Sequence, residues 1–366
     1  MEGNPAVVGG GRFVEEDYLE MYADVRAAVK AGHFTSGRQH FELLGAAEGR
    51  LGVAPYPEGA GKFFGEVPVA VESLGELHPH KFPYAGPYPW LDRDDWAARL
   101  AERLAKGEIS AADAALCEQW ALHGYVILKG LLDPATLDAC WRDYDAGIRN
   151  GSIRLDPENA APGDPHPTRF QDPHLKVPGF CEVMRHPEIL RLVKLFMDRE
   201  PAPFQTIASH KGTQQGAHSD TFHMTTYPLG YLSAAWVAFE DIDPDSGPLA
   251  YYPGSHRLPY VFGKDVGIPE GEFSRTGWKL YHELYEPYIM RLLEKHGMKP
   301  VHFIAGKGDA LLWHANLVHG GAPRRNLQLT RKALVCHYYV HGAVAYHDSS
   351  GGLAREHSGT CLLRSP

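Results

Sequence analysis

Long apolar runs are missing from this sequence, and so is any excess of positive charge. No stretch approaches the ~18 consecutive apolar residues that cross a bilayer, so a membrane-spanning helix is not expected. With 45 acidic against 36 basic residues, the formal charge is −9. That balance does not suit a nucleic-acid binder held by phosphate neutralisation. Cysteine is scarce as well: Cys117, Cys140, Cys181, Cys336 and Cys361 are odd in number and form no CxxC pair. They read as reduced thiols of a cytoplasmic protein rather than as a disulfide frame or a thiolate zinc site. The opening MEGNPAVVGGGRF has neither the basic start nor the apolar core of a secretory signal.

What is present is ordinary globular material, 366 residues with 44% hydrophobic and 22% charged, which excludes wholesale disorder. The 21 histidines point any metal chemistry towards nitrogen and oxygen ligands. Residues 1–52 form a first unit, loose up to residue 12, then helical over Glu15–Lys30 and Gln39–Ala47. It reads as a small packing or protein-contact module. Residues 53–107 are a Pro/Gly/Tyr-rich wrap or linker that ends in a helix, Asp94–Lys106. Within 108–345, helices are expected at Ala111–His123 and Pro134–Ile148, and a strand at Tyr125–Gly130. The Pro-rich stretch 150–180 is a candidate lid loop, and residues 346–366 form a tail. From about residue 200 the pattern turns to short strands with turn punctuation: Tyr231–Asp241, Pro248–Ser255, His302–Gly306, Asp309–His314 and Lys332–Val340. A helical interruption covers Gly277–Gly297. Such a series predicts a β sandwich or closed β core with helices outside it.

Three H-x-[DE] triplets occur, and chance alone supplies about two or three, so the motif by itself is weak. His40/Glu42 and His186/Glu188 lie in helical segments, where i and i+2 diverge by about 200°. His218/Asp220 reads as strand, where i and i+2 share a face and can grip one metal. A third ligand comes from WHANLVHGG. His314 and His319 are five apart, so on an unbroken strand only one faces the site. His319 is the better candidate, because Gly320-Gly321 lets the backbone approach a bound ligand closely. Two histidines and a carboxylate with open positions is the arrangement of non-haem Fe(II) oxygenases. The open positions take a 2-oxo acid and dioxygen, and the far carboxylate of the acid needs a cation, for which Arg331 is placed. Gln214 and Gln215 are candidates for hydrogen-bonding cosubstrate or substrate, or else are strand-edge residues.

The segments QQGAHSD, AAWVAFEDIDPDSGPLAYYPGSH, WHANLVHGG and RKALVCHYY, in that order, resemble the phytanoyl-CoA dioxygenase family of Fe(II)/2-oxoglutarate-dependent oxygenases. The likeness covers about residues 108–345. It implies an α+β, mainly β chain with a double-stranded β-helix (jelly-roll, cupin-like) core, flanking helices and the N-terminal module as an addition. It also implies His218, Asp220 and His319 as metal ligands, Arg331 as the 2-oxoglutarate anchor, and Trp236 beside the cosubstrate. The 101 residues between His218 and His319 are generous for such a core, and a helical insertion near 264–298 accounts for them.

The expected activity is a dioxygenase that hydroxylates a C–H bond of a small organic or lipid-like substrate, using Fe(II), 2-oxoglutarate and O2 and releasing succinate and CO2. Asp220 fills the position a halide would need, which disfavours halogenation. Two other classes remain open: a metal hydrolase or isomerase on the same triad, and a non-catalytic binding protein. The acidic run Asp241-Ile-Asp243-Pro-Asp245 lacks the glycine and twelfth-position glutamate of a calcium loop, so it reads as a solvated turn. His256-Arg257 reads as a turn stabiliser. Tyr227, Tyr231, Tyr251, Tyr252 and Trp313 line a pocket or pack the core.

Overall fold

A computed structural model describes most of residues 13–45, then 88–154, 169–269, 277–341, 343–346, 355–356 and 362–363. The loose start, residues 53–87 of the 53–107 wrap, and the centre of the candidate lid (155–168) lie outside the described residues.

The N-terminal module is two short helices, α1 (Ala23–Lys30) and α2 (Gly37–His40), the latter running into a π turn at Phe41–Gly45. Its small core is Tyr18, Tyr22 and Val25 with Phe13 and Phe41 against them. His40 is spoken for inside it, with its Nδ1 3.0 Å from the Tyr18 hydroxyl.

The helical layer of the main body comprises α3 (Trp96–Ala105), α4 (Ala111–His123), α5 (Pro134–Arg149), α6 (Pro178–Met184), α7 (Pro187–Met197) and α8 (Glu286–Lys295). The start and stop signals in the sequence work as expected. Ser110 caps α4 by accepting from the Asp113 N–H, and Gly124 ends it at φ 77°. Asp133 caps α5 ahead of Pro134 at the first turn. The layer also extends upstream of residue 108. Trp90 and Leu91 are buried in the same core, and the Trp90 indole N–H donates to Leu195 O at 2.9 Å.

Strands β1 (Tyr125–Leu128), β2 (Arg169–Gln171), β3 (Pro201–Ser209), β4 (Thr225–Tyr227), β5 (Leu232–Ala238), β6 (Leu249–Tyr251), β7 (Val301–Phe303), β8 (Ala310–His314), β9 (His319–Gly321), β10 (Ala333–Val340) and β11 (Val344–Tyr346) build the β body. Two further short strands, β12 (Arg355–Glu356) and β13 (Leu362–Leu363), pair with each other. The large sheet runs β1-β8-β5-β10-β3-β2, antiparallel throughout; facing it are β7-β6-β9 and the β4-β11 pair. This is the jelly-roll core.

Strand alternation divides the large sheet's two faces. Ala235, Val237, Ala310, Leu312, Leu334, Cys336 and Tyr338 face the helices. Their neighbours Ala234, Trp236, Ala238, Leu311, Trp313 and Ala333 face inward, against Leu249, Tyr251 and Phe303 of the small sheet. Burying apolar side chains on both faces is what fixes the register of each strand.

Several expectations need correction. Arg169–Met184 is structured rather than loop, carrying β2, a 3-10 turn at Pro173–Leu175 and α6. Cys117, Cys140 and Cys336 are free and buried as expected. Cys181, however, is disulfide-bonded.

Candidate metal and cosubstrate site

His218 and Asp220 do not share a strand face. His218 sits at an isolated bridge to His319, the two residues exchanging N–H···O bonds of 2.9 and 2.8 Å. Asp220 opens a 3-10 turn, Asp220–Phe222, capped by Ser219. The turn, not strand alternation, brings the carboxylate back beside the imidazole. His314 and His319 likewise lie on no unbroken strand: β8 ends at His314 and β9 begins at His319. His314 is turned away, with its Nε2 3.0 Å from Asp92 Oδ2.

The three expected ligands converge. His218, Asp220 and His319 each offer one ligand atom, all within 4.8 Å of one another, and all three residues are buried. Both imidazoles are oriented by a backbone carbonyl on the far side of the ring: His218 Nδ1 lies 2.8 Å from Gly216 O, and His319 Nδ1 3.0 Å from Leu317 O. A carbonyl only accepts, so each Nδ1 carries the proton and each Nε2 turns its lone pair to the site. Asp220 Oδ1 stands 4.0 Å from His218 Nε2 and 3.6 Å from His319 Nε2. Those gaps are too long for hydrogen bonds. They fit donors waiting around an ion at roughly 2.0–2.2 Å from each. The other carboxylate oxygen, Oδ2, accepts from the Trp313 indole N–H at 2.9 Å.

Burial pushes His218 down to about 3, helped by neighbouring His319, so it is a neutral ligand at ordinary pH. Burial alone would raise Asp220, but His319, His337, His218 and the Trp313 N–H outweigh it and hold the carboxylate ionised.

The loops carrying the ligands are tied together behind the site. Ser219 Oγ donates within 3.0–3.1 Å of Ala315 O and Asn316 Oδ1. The Asn316 amide donates to His256 O at 3.0 Å and Leu258 O at 2.9 Å. Gly320 and Gly321 are needed for a close approach, though not to a ligand as the sequence reading expected. A Cβ there would lie 2.7 Å from Gln215 O and from Gln214 N respectively, so the approach is to the 214–216 backbone.

Arg331 is a buried cation with no ionic partner among the described residues. Arg331 donates from one Nη to Gly247 O at 3.0 Å, its Nε has no partner, and Trp236 lies with its ring 5.7 Å from the guanidinium carbon. Burial, with Arg169 and Arg324 nearby, lowers it to about 10. No described carboxylate lies within ion-pair distance of it. Such burial is costly unless an anion pairs with the guanidinium.

Gln215 is at the centre, its Nε2 3.3 Å from His218 Nε2 and its Oε1 accepting from Arg169 at 3.4 Å. Gln214 is turned aside, accepting from the Arg324 N–H at 3.0 Å.

Arg169 and His337 were missed. Arg169 acts on both Asp220 and Arg331, yet its surroundings, PHPTRFQDPH, give no signal beyond loop composition. His337 has its Nε2 3.9 Å from Asp220 Oδ2. The alternation of β10 with inward-facing Ala333 would have placed it there.

Other candidates resolve as packing. Arg257 and His256 both reach Ala121 O, at 2.8 and 3.3 Å, pinning the end of α4. Tyr251 stacks edge-on against Tyr125. Asp243 and Ser246 close a local turn.

A sequence model of the phytanoyl-CoA dioxygenase family matches residues 120–333, more than half of the chain, a span that includes His218, Asp220, His319 and Arg331. The chain belongs to the phytanoyl-CoA dioxygenase family. It is similar to the peroxisomal phytanoyl-CoA dioxygenase of Rattus norvegicus, with 27% identity over 237 residues, 59% of this chain and 65% of that protein. The match thus falls just short of two thirds of the relative's length. The Bos taurus protein of the same name is 23% identical over 287 residues, 73% of this chain and 74% of the relative. Among solved structures, the epimerase SnoN in complex with Fe3+, alpha ketoglutarate and nogalamycin RO gives a TM-score of 0.49 at 22% identity, covering 70% of this chain and 94% of that one. EctD from S. alaskensis with bound Fe gives 0.48 at 20%, covering 63% and 77%. The family is one of iron- and 2-oxoglutarate-dependent dioxygenases, and the donor set found here is suited to both groups. Among the described residues, no helix is long and apolar enough to cross a membrane.

Proposed function

We propose that this family member hydroxylates a C–H bond of a small organic or lipid-like substrate, with conversion of 2-oxoglutarate and O2 to succinate and CO2. The observation that carries the reading is the buried Arg331 guanidinium, which lacks an ionic partner among the described residues and is linked to the His218, Asp220 and His319 donor set through Arg169, which acts on both Arg331 and Asp220. A hydrolase or isomerase using the same triad has no need of that cation. Bound Fe(II) with 2-oxoglutarate would supply the oxidising chemistry.

The chain's own share is binding and orientation. His218, Asp220 and His319 would hold the metal through Nε2, a carboxylate oxygen and Nε2. Arg331 fixes the far carboxylate of the cosubstrate with Trp236 against it, while Arg169 and Gln215 stand at the metal end, where the keto-acid head would lie. Burial of His218, Asp220, His319, Arg331 and Trp236 excludes bulk water and strengthens their contacts, while Arg169 and Gln215 are half-buried. The compartment we propose is the cytoplasm, on the three buried free cysteines; the disulfide at Cys181 is the observation against it.

Succinate formation from 2-oxoglutarate, followed under air and under argon, tests the activity. It should require oxygen and vanish in Asp220→Ala. In Arg331→Ala, KM for 2-oxoglutarate should rise about 10–100-fold, the range for losing a charged hydrogen-bond partner. Turnover of other substrates unaffected by argon would favour a hydrolase or isomerase.

A further inference from the structure

The helical insertion between β6 and β7 does more than lengthen the chain. At its start a π turn, Tyr281–Tyr285, runs into α8, which has Pro287 in its first turn. Proline has no N–H to give the preceding turn, and the widened turn accommodates it. Tyr281 is thereby set against His223, with ring centroids 5.2 Å apart, and His223 stands 5.3 Å from the metal-binding His218 ring. Trp278 closes on the same His223 at 5.2 Å and on Tyr281 at 5.3 Å, yet is 44% exposed.

The Tyr281 hydroxyl is the telling group. The residue is 3% exposed and its hydroxyl finds no hydrogen-bond partner of good geometry. The Gln215 side chain, whose Nε2 is also 3.3 Å from His218 Nε2, donates a loose hydrogen bond to the Tyr281 oxygen, and Tyr281 interacts with Asp220 and Arg169, so the hydroxyl faces the metal end of the site. Burial raises it far above the ordinary tyrosine range, keeping it a neutral O–H donor. Among the described residues the O–H itself is left without an acceptor, which implies that the acceptor arrives with a ligand. The cosubstrate's carboxylates already have Arg331 and Arg169.

We propose that Tyr281 and Trp278 of the insertion form the substrate-recognition wall, taking an uncharged ring-bearing molecule whose oxygen accepts from the Tyr281 hydroxyl while its flat face lies on Trp278. The inference rests on the oxygenase reading and names the substrate class for the same site. A cationic substrate is disfavoured although aromatic walls attract cations. Fe(II), Arg331 and Arg169 bring four positive charges against four negative from Asp220, Glu286 and 2-oxoglutarate, so the loaded site has no net negative charge to draw a cation in.

Calorimetry on the full chain loaded with Fe(II) and 2-oxoglutarate under argon, using 1-indanone, indane and 1-aminoindan as probes, tests this. The ketone should bind most tightly and the ammonium least. Tyr281→Phe should weaken the ketone about tenfold and leave indane alone, while Trp278→Ala, a change at an exposed position, should weaken both. Unchanged ketone affinity in Tyr281→Phe, tightest binding by the ammonium, or no binding of any probe to loaded protein would overturn the proposal. Failure of the protein to develop the iron–2-oxoglutarate charge-transfer absorption would instead refute the oxygenase reading beneath it.

Discussion

Trp313 shows how one side chain can serve two layers of the molecule. Its ring packs the interior between the sheets, and its N–H fixes Asp220 through Oδ2, leaving Oδ1 for the metal. Ligand-orienting hydrogen bonds of this kind commonly contribute 10–100-fold to metal affinity. Trp313→Phe keeps the packing and removes the donor. Its Fe(II) affinity, measured by anaerobic competition with a chelator, should fall by about that factor while the urea midpoint barely moves. Unaltered affinity would show that the indole only fills space. At this scale the grouping of His218, Asp220 and His319 was legible, because their chemistry and order are written in the chain. Trp313 was read only as pocket or core material, since nothing local reveals which carboxylate an indole meets 93 residues away.

Secondary elements were legible where local signals agree with the fold. Helix α4 has a capping serine and a stopping glycine, and β5 and β10 alternate cleanly. Strand β3 was not picked out, because Pro201 and Pro203 argue against a strand inside a sheet. The sheet tolerates Pro203 where the pairing of β10 shifts register, between His337 and Tyr338. The 3-10 turn at Asp220 was hidden for a related reason: H-x-D spacing satisfies a strand as well as a turn.

The turn before β8 carries its own prediction. Asp309 accepts from the Gly130 N–H at 2.8 Å and the Gly306 N–H at 2.8 Å and pairs with Lys129, joining β1's exit to β8's entry. Those partners lower its carboxyl despite burial, which alone would raise it. Asp309→Ala should cost about 2–3 kcal/mol in urea unfolding, through two orphaned backbone donors. Lys129→Ala, whose ammonium is largely in water, should cost under about 1 kcal/mol. Equal losses would mean that the ion pair, not the backbone bonds, holds the turn.

Across the whole molecule, the core that makes the site also makes it acid-sensitive. Burial holds His218 and His256 down at about 3, against 6.5 in an open chain. Between pH 6.5 and 3 the unfolded chain therefore binds up to two more protons than the folded apoprotein. Stability is present in full above 6.5 and drains away as pH falls, by up to about 2–3 kcal/mol per unit. Urea midpoints of the metal-free protein at pH 7, 6 and 5 should decline, and His256→Asn should flatten the decline between 6.5 and 5. A midpoint constant over that range would mean that these histidines are not held neutral by the fold.

Everything about the site depends on two loops, separated by a hundred residues of sequence, closing on one metal ion. Anaerobic titration of the purified chain with Fe(II) in the presence of 2-oxoglutarate measures that directly. The expected result is one iron per chain with its charge-transfer absorption, lost in Asp220→Ala and His319→Ala, and retained in His314→Gln, whose ring is turned to Asp92. Iron uptake that survives Asp220→Ala and His319→Ala, or that disappears with His314, would contradict the account.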